Sequence, residues 1–233
     1  MHLTEIHRRL GEVRRRFGRL VHDQRAVAMI ETAFTVPTLA IVGLMGVEVA
    51  NLAVVNARVS NVALAVADNA SRIAANNPLG APQVREVDIN DVFAGGVEQA
   101  STLNLATRGR IILSSLQRDA DGKQRIKWQR CFGALAVSSA YGPPGLVNGD
   151  GSVGLGPPSR RISAPTNQAV MFVEVVYQNA PMVLPGFALP NNGRVEYEAA
   201  YVVRDNRDMG NPTNPAPTAP VSSNCSGTQR VVS

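Results

Sequence analysis

The run from Ala26 to Val55, AVAMIETAFTVPTLAIVGLMGVEVANLAVV, is apolar almost throughout and carries no charged residue between Thr32 and Val47. Its length meets the roughly 20 apolar residues that a helix needs to cross the hydrocarbon core of a bilayer. The pattern predicts a membrane-spanning helix over 27–55, interrupted by two carboxylates, Glu31 near its start and Glu48 near its end. Pro37 inside it removes one backbone hydrogen bond and favours a kink, which membrane helices tolerate. Beyond Glu48 the apolar positions narrow to a stripe. Leu52, Val55, Val59, Val62 and Val66 recur in steps of three and four, Ile73 continues the register, and Asn51, Asn56, Arg58, Ser60, Asn61, Asp68 and Arg72 mostly avoid it. The helix is therefore expected to continue in amphipathic form over 56–78, where Asn76, Asn77 and Pro78 stop it. From Val27 to Ala75 it would measure about 70 Å at 1.5 Å per residue.

Farther on, the period changes toward two. RIILSSLQ (110–117) and QRIKWQRCF (124–132) are β-rich runs flanking an Asp121-Gly122 turn signal, which predicts a hairpin. In its second strand Arg125, Lys127 and Gln129 alternate with Ile126, Trp128 and Arg130, an imperfect apolar face that Trp128 anchors. AVMFVEVVYQ (169–178) and GRVEYEAAYVVR (193–204) read as two more strands. The Gly- and Pro-dense stretch 141–167 reads as a surface loop, 179–190 as an irregular apolar excursion, and 205–233 as a mobile Pro-rich tail tied at Cys225. Residues 79–108 are ambiguous: Val84, Val87, Ile89 and Val92 fit a strand or a loop, and Gly96 to Ala106 a short helix. The fold class expected is α+β, with a long N-terminal helix covering one face of an antiparallel β-sheet in a domain over 79–204.

Charge adds an orientation. Residues 1–25 hold seven arginines against three carboxylates, so four of the five net positive charges of the chain lie before the apolar run. A basic flank keeps the N-terminus in the cytoplasm and places the remainder across the membrane. A nucleic-acid partner would call for a basic patch on the folded part, and the near-neutral remainder offers none. The main alternative for the apolar run is a removable secretory signal, which has a shorter core and a small-residue cleavage site; here Glu48 and Asn51 follow instead. Both cysteines, Cys131 and Cys225, lie beyond the span, and an even pair in an oxidising compartment predicts one disulfide, with two free thiols as the alternative.

Candidate chemistry is sparse. The three histidines, His2, His7 and His22, all precede the span, which leaves the exported part without a Ser-His-Asp triad, a Cys-His pair or a histidine-ligated metal site. Phosphate-binding glycine motifs are missing. NGDGSVG (148–154) has a single carboxylate, Asp150, where a calcium loop needs several spaced acids, and reads as a plain loop. Ser114, Ser115, Ser138 and Ser139 have no candidate base nearby in sequence, and aromatic residues, at 5%, offer no stacking platform. The chain is expected not to be an enzyme and to need no cofactor or metal. Glu48 is expected to be a solvated residue at the membrane boundary. Glu31 either snorkels to the near interface or makes an assembly contact. In the second case, a cut just upstream would create an α-amino group with which the carboxylate of a neighbouring subunit pairs.

A basic leader followed by RAVAMIETAFTVPTLAIVGLMGVEVAN resembles the N-terminus of TadE-like pseudopilins, which accompany the Flp-type pili of the bacterial tight-adherence (Tad) system. Arg25, Glu31, Val36-Pro37 and Glu48 fit the family pattern, while Ala26 stands where glycine is usual and Thr32 where tyrosine or phenylalanine is usual. RIILSSLQRDADGKQRIKWQRCFG and AAYVVRDNR also look like the C-terminal halves of such proteins. The resemblance implies a pilin-like architecture and cleavage of the leader, residues 1–26, by prepilin peptidase between Ala26 and Val27. Glu31 would then be the fifth residue of the product. It further implies an inner-membrane protein with a periplasmic domain, other pilin or pseudopilin subunits as partners, and a structural role as a minor pseudopilin in pilus biogenesis, adhesion and biofilm formation. The alternative function is a membrane-tethered periplasmic binding or adhesion module that the peptidase does not process.

Overall fold

The computed structural model describes residues 24–74, 81–183, 186, 189–204, 207–213 and 224–225, together with Gly11 and Gly18, and side chains within the helix from Val27 onward. The basic leader and most of the Pro-rich tail lie outside the described residues. The chain divides into two compact units, Met1–Ala50 and Asn51–Ser233. Helix α1 (Gln24–Arg72) contributes to both and continues through Pro37.

In the second unit, five strands form an antiparallel sheet in the order β4-β3-β2-β5-β6, with β2 Gly109–Arg118, β3 Gln124–Phe132, β4 Gly145–Leu146, β5 Ala169–Gln178 and β6 Arg194–Val202. The β2–β3 hairpin forms where the Asp121-Gly122 signal placed it. Gly122 takes φ +77°, a left-handed conformation that glycine adopts without a Cβ clash, and its N–H donates to the Asp119 carbonyl at 2.9 Å. The central strands β2 and β5 are buried on both faces, so they read as nearly continuous apolar runs and lack the clean alternation of a half-exposed strand.

One face carries Ile111, Leu113, Met171, Val173 and Val175, and on it lie Val55, Val59, Val62 and Val66 of α1, with Ala63, Ala67 and Ala70 beside them. The valine stripe of the sequence thus covers the domain's own sheet, in the expected α+β arrangement. The alanines keep the helix surface low where it meets the strands. The other face carries Leu116, Ile126, Val170 and Phe172. Its cover comes from the stretch 141–167, which is a correction: this segment is more than a surface loop. Val147, Leu155 and Ala164 are buried in it, Leu155 and Ile162 pair across a β-bridge, and the Gln124 amide clamps the backbone of Ala164, accepting from its N–H at 2.8 Å and donating to its carbonyl at 3.2 Å.

A bulge explains the imperfect alternation of β3. Ser115 lies opposite Trp128 but Leu116 lies opposite Ile126, so Lys127 is the extra residue. Trp128 therefore joins the helix-covered core and Ile126 the loop-covered one.

Two further expectations are corrected. Residues 83–108 form a short strand β1 (Gln83–Arg85), helix α2 (Glu86–Gln99) and a single turn α3 (Leu105–Arg108), so the helix lies upstream of the one expected over Gly96 to Ala106. Ile89, Val92, Phe93 and Gly96 form its buried face, a helical spacing of three and four. Its start is fixed by Asp88, whose carboxylate accepts from the Arg85 backbone N–H at 3.1 Å. The tail beyond 204 is also not uniformly loose: β7 (Asp208–Thr213) pairs with β1 in parallel. It is held where Gln117 donates to the Met209 carbonyl at 2.6 Å.

Gly96 marks the tightest helix–helix approach, since a Cβ there would come within 2.5 Å of Val66 Cγ2, whereas one on Gly95 would meet nothing within 4 Å. Gly96→Ala is expected to destabilise the domain by about 1–3 kcal/mol through overpacking. Gly95→Ala is expected to stabilise it by roughly 0.5–1 kcal/mol through helix propensity. Urea unfolding of the two variants side by side checks both signs.

Candidate functional site

In the first unit, α1 presents an apolar surface with little cover. Met29 is 75% and Phe34 74% exposed, and Val27, Val36, Leu39, Ile41 and Val42 are also exposed. The helix is long and apolar enough to cross a membrane. Its polar side chains fit such a setting. The hydroxyls of Thr32, Thr35 and Thr38 donate to the carbonyls of Ala28, Glu31 and Phe34 one turn back, at 2.7, 2.6 and 2.7 Å. Each is thereby satisfied without water.

Glu31 lies on this exposed surface, and its carboxylate has no partner among the described residues. Val27 is likewise exposed, and the backbone of Ala26 is helical. Glu48 departs from expectation: it is fully buried and engaged with another group of the chain, so it is not a solvated boundary residue. Burying a carboxylate is costly unless it is partnered, and the interaction that Glu48 makes offsets that cost.

In the second unit the two predicted cysteines meet. Cys131 and Cys225 form a disulfide with 4.8 Å between Cα atoms, and no free cysteine is present among the described residues. Cys131 reaches this position because β3 directs it away from the helix-covered face. Arg110, buried on the neighbouring strand, donates to the carbonyls of Gly133 at 2.7 Å and Cys225 at 3.1 Å, fixing the bridged end of the chain. Burial lowers its pKa from the usual arginine value.

Three more polar constellations were not legible beforehand. Half-buried Arg130 faces the helix-covered core and forms an ion pair with the buried Glu86, the first residue of α2, donating from Nε to both carboxylate oxygens at 3.0 and 2.9 Å. Arg207, also buried, donates to the carbonyls of Ala70 at 3.2 Å and Ile73, so a guanidinium satisfies the free carbonyls at the end of α1. On the loop-covered face, Glu174 accepts from the Ser139 hydroxyl at 2.6 Å and the Ala140 N–H at 2.8 Å, and Glu198, opposite it on β6, accepts from the Tyr141 hydroxyl at 2.6 Å. Together these bonds strap residues 139–141 across β5 and β6. Burial pushes the Glu174 carboxyl above the usual carboxylate range against the pull of its two donors, and Glu198 and Glu196 add to the rise. Burial and the Glu198 carboxylate push the Tyr141 hydroxyl up as well.

No group of three or more histidine, cysteine, aspartate or glutamate side chains able to hold a metal occurs among the described residues. Asp150 accepts from the Ser152 N–H and hydroxyl, both at 2.9 Å, which makes a local turn and holds its carboxyl below the ordinary value. The architecture is that of a membrane-length apolar helix on a disulfide-tied α+β domain. Compared with family models, curated proteins and solved structures, the chain matches none.

Because the folded state binds the Glu174 proton more tightly than the unfolded chain, its contribution to stability is greatest below the ordinary value of about 4.5 and is lost as pH rises through the raised pKa. Glu174→Gln keeps an acceptor for Ala140 but cannot ionise. The difference in unfolding free energy, variant minus wild type, is expected to grow in favour of the variant as pH rises from about 4.5 toward neutrality. Denaturant unfolding at a series of pH values measures this difference, in which titrations common to both proteins cancel.

Proposed function

We propose that this protein is a structural subunit of the bacterial inner membrane, a TadE-like minor pseudopilin that acts in assembling Flp-type pili and so supports adhesion and biofilm formation. The observation that carries the reading is the division of labour along α1. Its first part offers exposed apolar side chains of membrane length, and its second part is docked by a valine stripe on an antiparallel sheet. The disulfide agrees with a domain in the oxidising periplasm, and the arginine-rich leader with a cytoplasmic N-terminus. The residue pattern Arg25, Glu31, Val36-Pro37 and Glu48 supplies the link to pseudopilins. On this reading prepilin peptidase cuts between Ala26 and Val27, Glu31 of one subunit pairs with the new amine of the next, and the chain carries no catalytic site, cofactor or nucleic-acid partner.

The N-terminal sequence of the mature protein, from cells with and without prepilin peptidase, tests the processing. A start at Val27 that depends on the peptidase is the expected result; a start at Met1 in both strains favours a permanently tethered binding or adhesion module. Glu31→Ala is expected to abolish pilus assembly while leaving membrane insertion unchanged, because truncation leaves the partner amine unpaired. Surface pili counted by electron microscopy, alongside membrane fractionation, read out both effects.

A further inference from the structure

The part of α1 in the second unit carries a second stripe that the docked one does not use. Val54, Ala57, Asn61 and Leu64 follow steps of three and four, and all are exposed, Val54 at 48% and Leu64 at 43%. In the sequence the same spacing extends upstream through Ala50, Val47, Gly43 and Ala40.

In heptad terms the stripe is an a/d seam. Val47, Val54 and Asn61 fall at a, and Ala50, Ala57 and Leu64 at d. The residues docked on the sheet, Val59 and Val66 at f with Val55 and Val62 at b, lie on the opposite side of the helix. The sheet therefore occupies the back of the helix and leaves the front free for approach.

We propose that this face is the seam of a parallel two-stranded coiled coil between two copies of this chain. The residue types favour a second copy over an unrelated chain. Valine fills two of the three a positions and leucine the last d position, with the small Ala50 and Ala57 at the other two d positions letting the helices approach closely, and one asparagine at an a position sets register and strand number by pairing with its counterpart. The Asn61 amide has no hydrogen-bond partner among the described residues, whereas Asn56, off the seam, donates to the Leu52 carbonyl at 2.8 Å. The flanking positions place no like charges together across a two-fold axis. Ala53 and Ser60 at g face Arg58 and Ala65 at e, and Arg58 is turned toward Thr102, to whose hydroxyl it donates. Asp68, next in the a series, is paired with Arg72 at 2.8 Å and ends the apolar seam. Insertion of both copies in one membrane aligns the helices in parallel and raises their effective concentration, which a seam of two heptads needs in order to associate. The seam does not depend on processing by a peptidase or on a pilus.

Oxidative cross-linking of the full-length protein in membranes tests it, with the two native cysteines held in their own bridge. Val54→Cys, Asn61→Cys and Leu64→Cys are expected to form covalent dimers about tenfold faster than Asn56→Cys and Asn69→Cys, as proximity in a paired state demands. Adding Asn61→Asp to Val54→Cys, an exposed change of similar size that sets two carboxylates face to face, is expected to reduce the dimer about tenfold, a like-charge penalty at a desolvated position. Equal cross-linking at all five positions, none at any, faster reaction at 56 or 69, or indifference to Asn61→Asp would overturn the proposal. The same outcomes are expected with leader cleavage blocked, so failure of the seam and failure of the pseudopilin reading are separable.

Discussion

The domain depends on the contact between the valine stripe of α1 and the helix-covered face of the sheet. Ile111, Leu113, Val173 and Val175 would otherwise meet water, and each buried side chain of this kind is worth about 1.5–3 kcal/mol of transfer free energy. The stripe has four valines at full or near-full burial, and the three alanines beside them are fully buried too. Valine is a modest helix former, so this segment is not held helical by propensity alone. The sheet stabilises the helix, and the helix completes the sheet's core. Gly96 extends the same economy of volume to α2, which approaches α1 too closely for a side chain. The helix end is also tied to the sheet side of the domain, since Arg207, just beyond β6, supplies donors for its last carbonyls.

Buried charge is a second constraint, and each case is answered locally. Arg130 and Glu86 neutralise each other and hold the start of α2 against β3. Arg110 donates from Nη1 and Nη2 to two backbone carbonyls, one of them at the disulfide. Glu174 is the costly member, with two donors on one side and two carboxylates on the other. Buried ionic groups of this kind contribute little net stability compared with apolar packing. Their effect here is positional: they tie together segments far apart in sequence, residues 86 and 130, 110 and 225, and 139 and 174.

How much was legible in the sequence follows from the range of each interaction. The valine stripe, the Asp121-Gly122 hairpin, the two long strands and the cysteine pair could be read because periodicity, turn chemistry and compartment are local or compositional signals. Helix α2 was readable in principle from Ile89, Val92, Phe93 and Gly96, but its two adjacent glycines and interspersed acids obscured a stretch of only 14 residues. The bulge at Lys127 left no mark beyond an unexplained break in alternation. The cover formed by 141–167 was hidden because its composition is that of a loop, and its few apolar residues acquire meaning only against Phe172 and Leu116. The partners of Arg207, and the Cys225 carbonyl that Arg110 reaches, lie over a hundred residues away and had no local signature. For the candidate site, the apolar helix and the cysteines were legible, and the burial of Glu48 was not.

The heptad spacing explains how one helix can carry two unlike surfaces. Positions b and f face away from a and d, so a sequence can write an apolar stripe for its own sheet and another for a partner without either intruding on the other. The polar residues then have little room. Arg58 leaves the seam for Thr102, Asn56 folds back on Leu52, and Asp68 and Arg72 close on each other at the helix end. Asn61, in the middle of the outward stripe, has an amide with no hydrogen-bond partner among the described residues. A helix meant only to roof its sheet gains nothing from Val54 and Leu64 on its solvent side, where charged residues would serve solubility better. Their exposure beside an asparagine without a partner among the described residues fits a surface that meets a counterpart bearing the same residues.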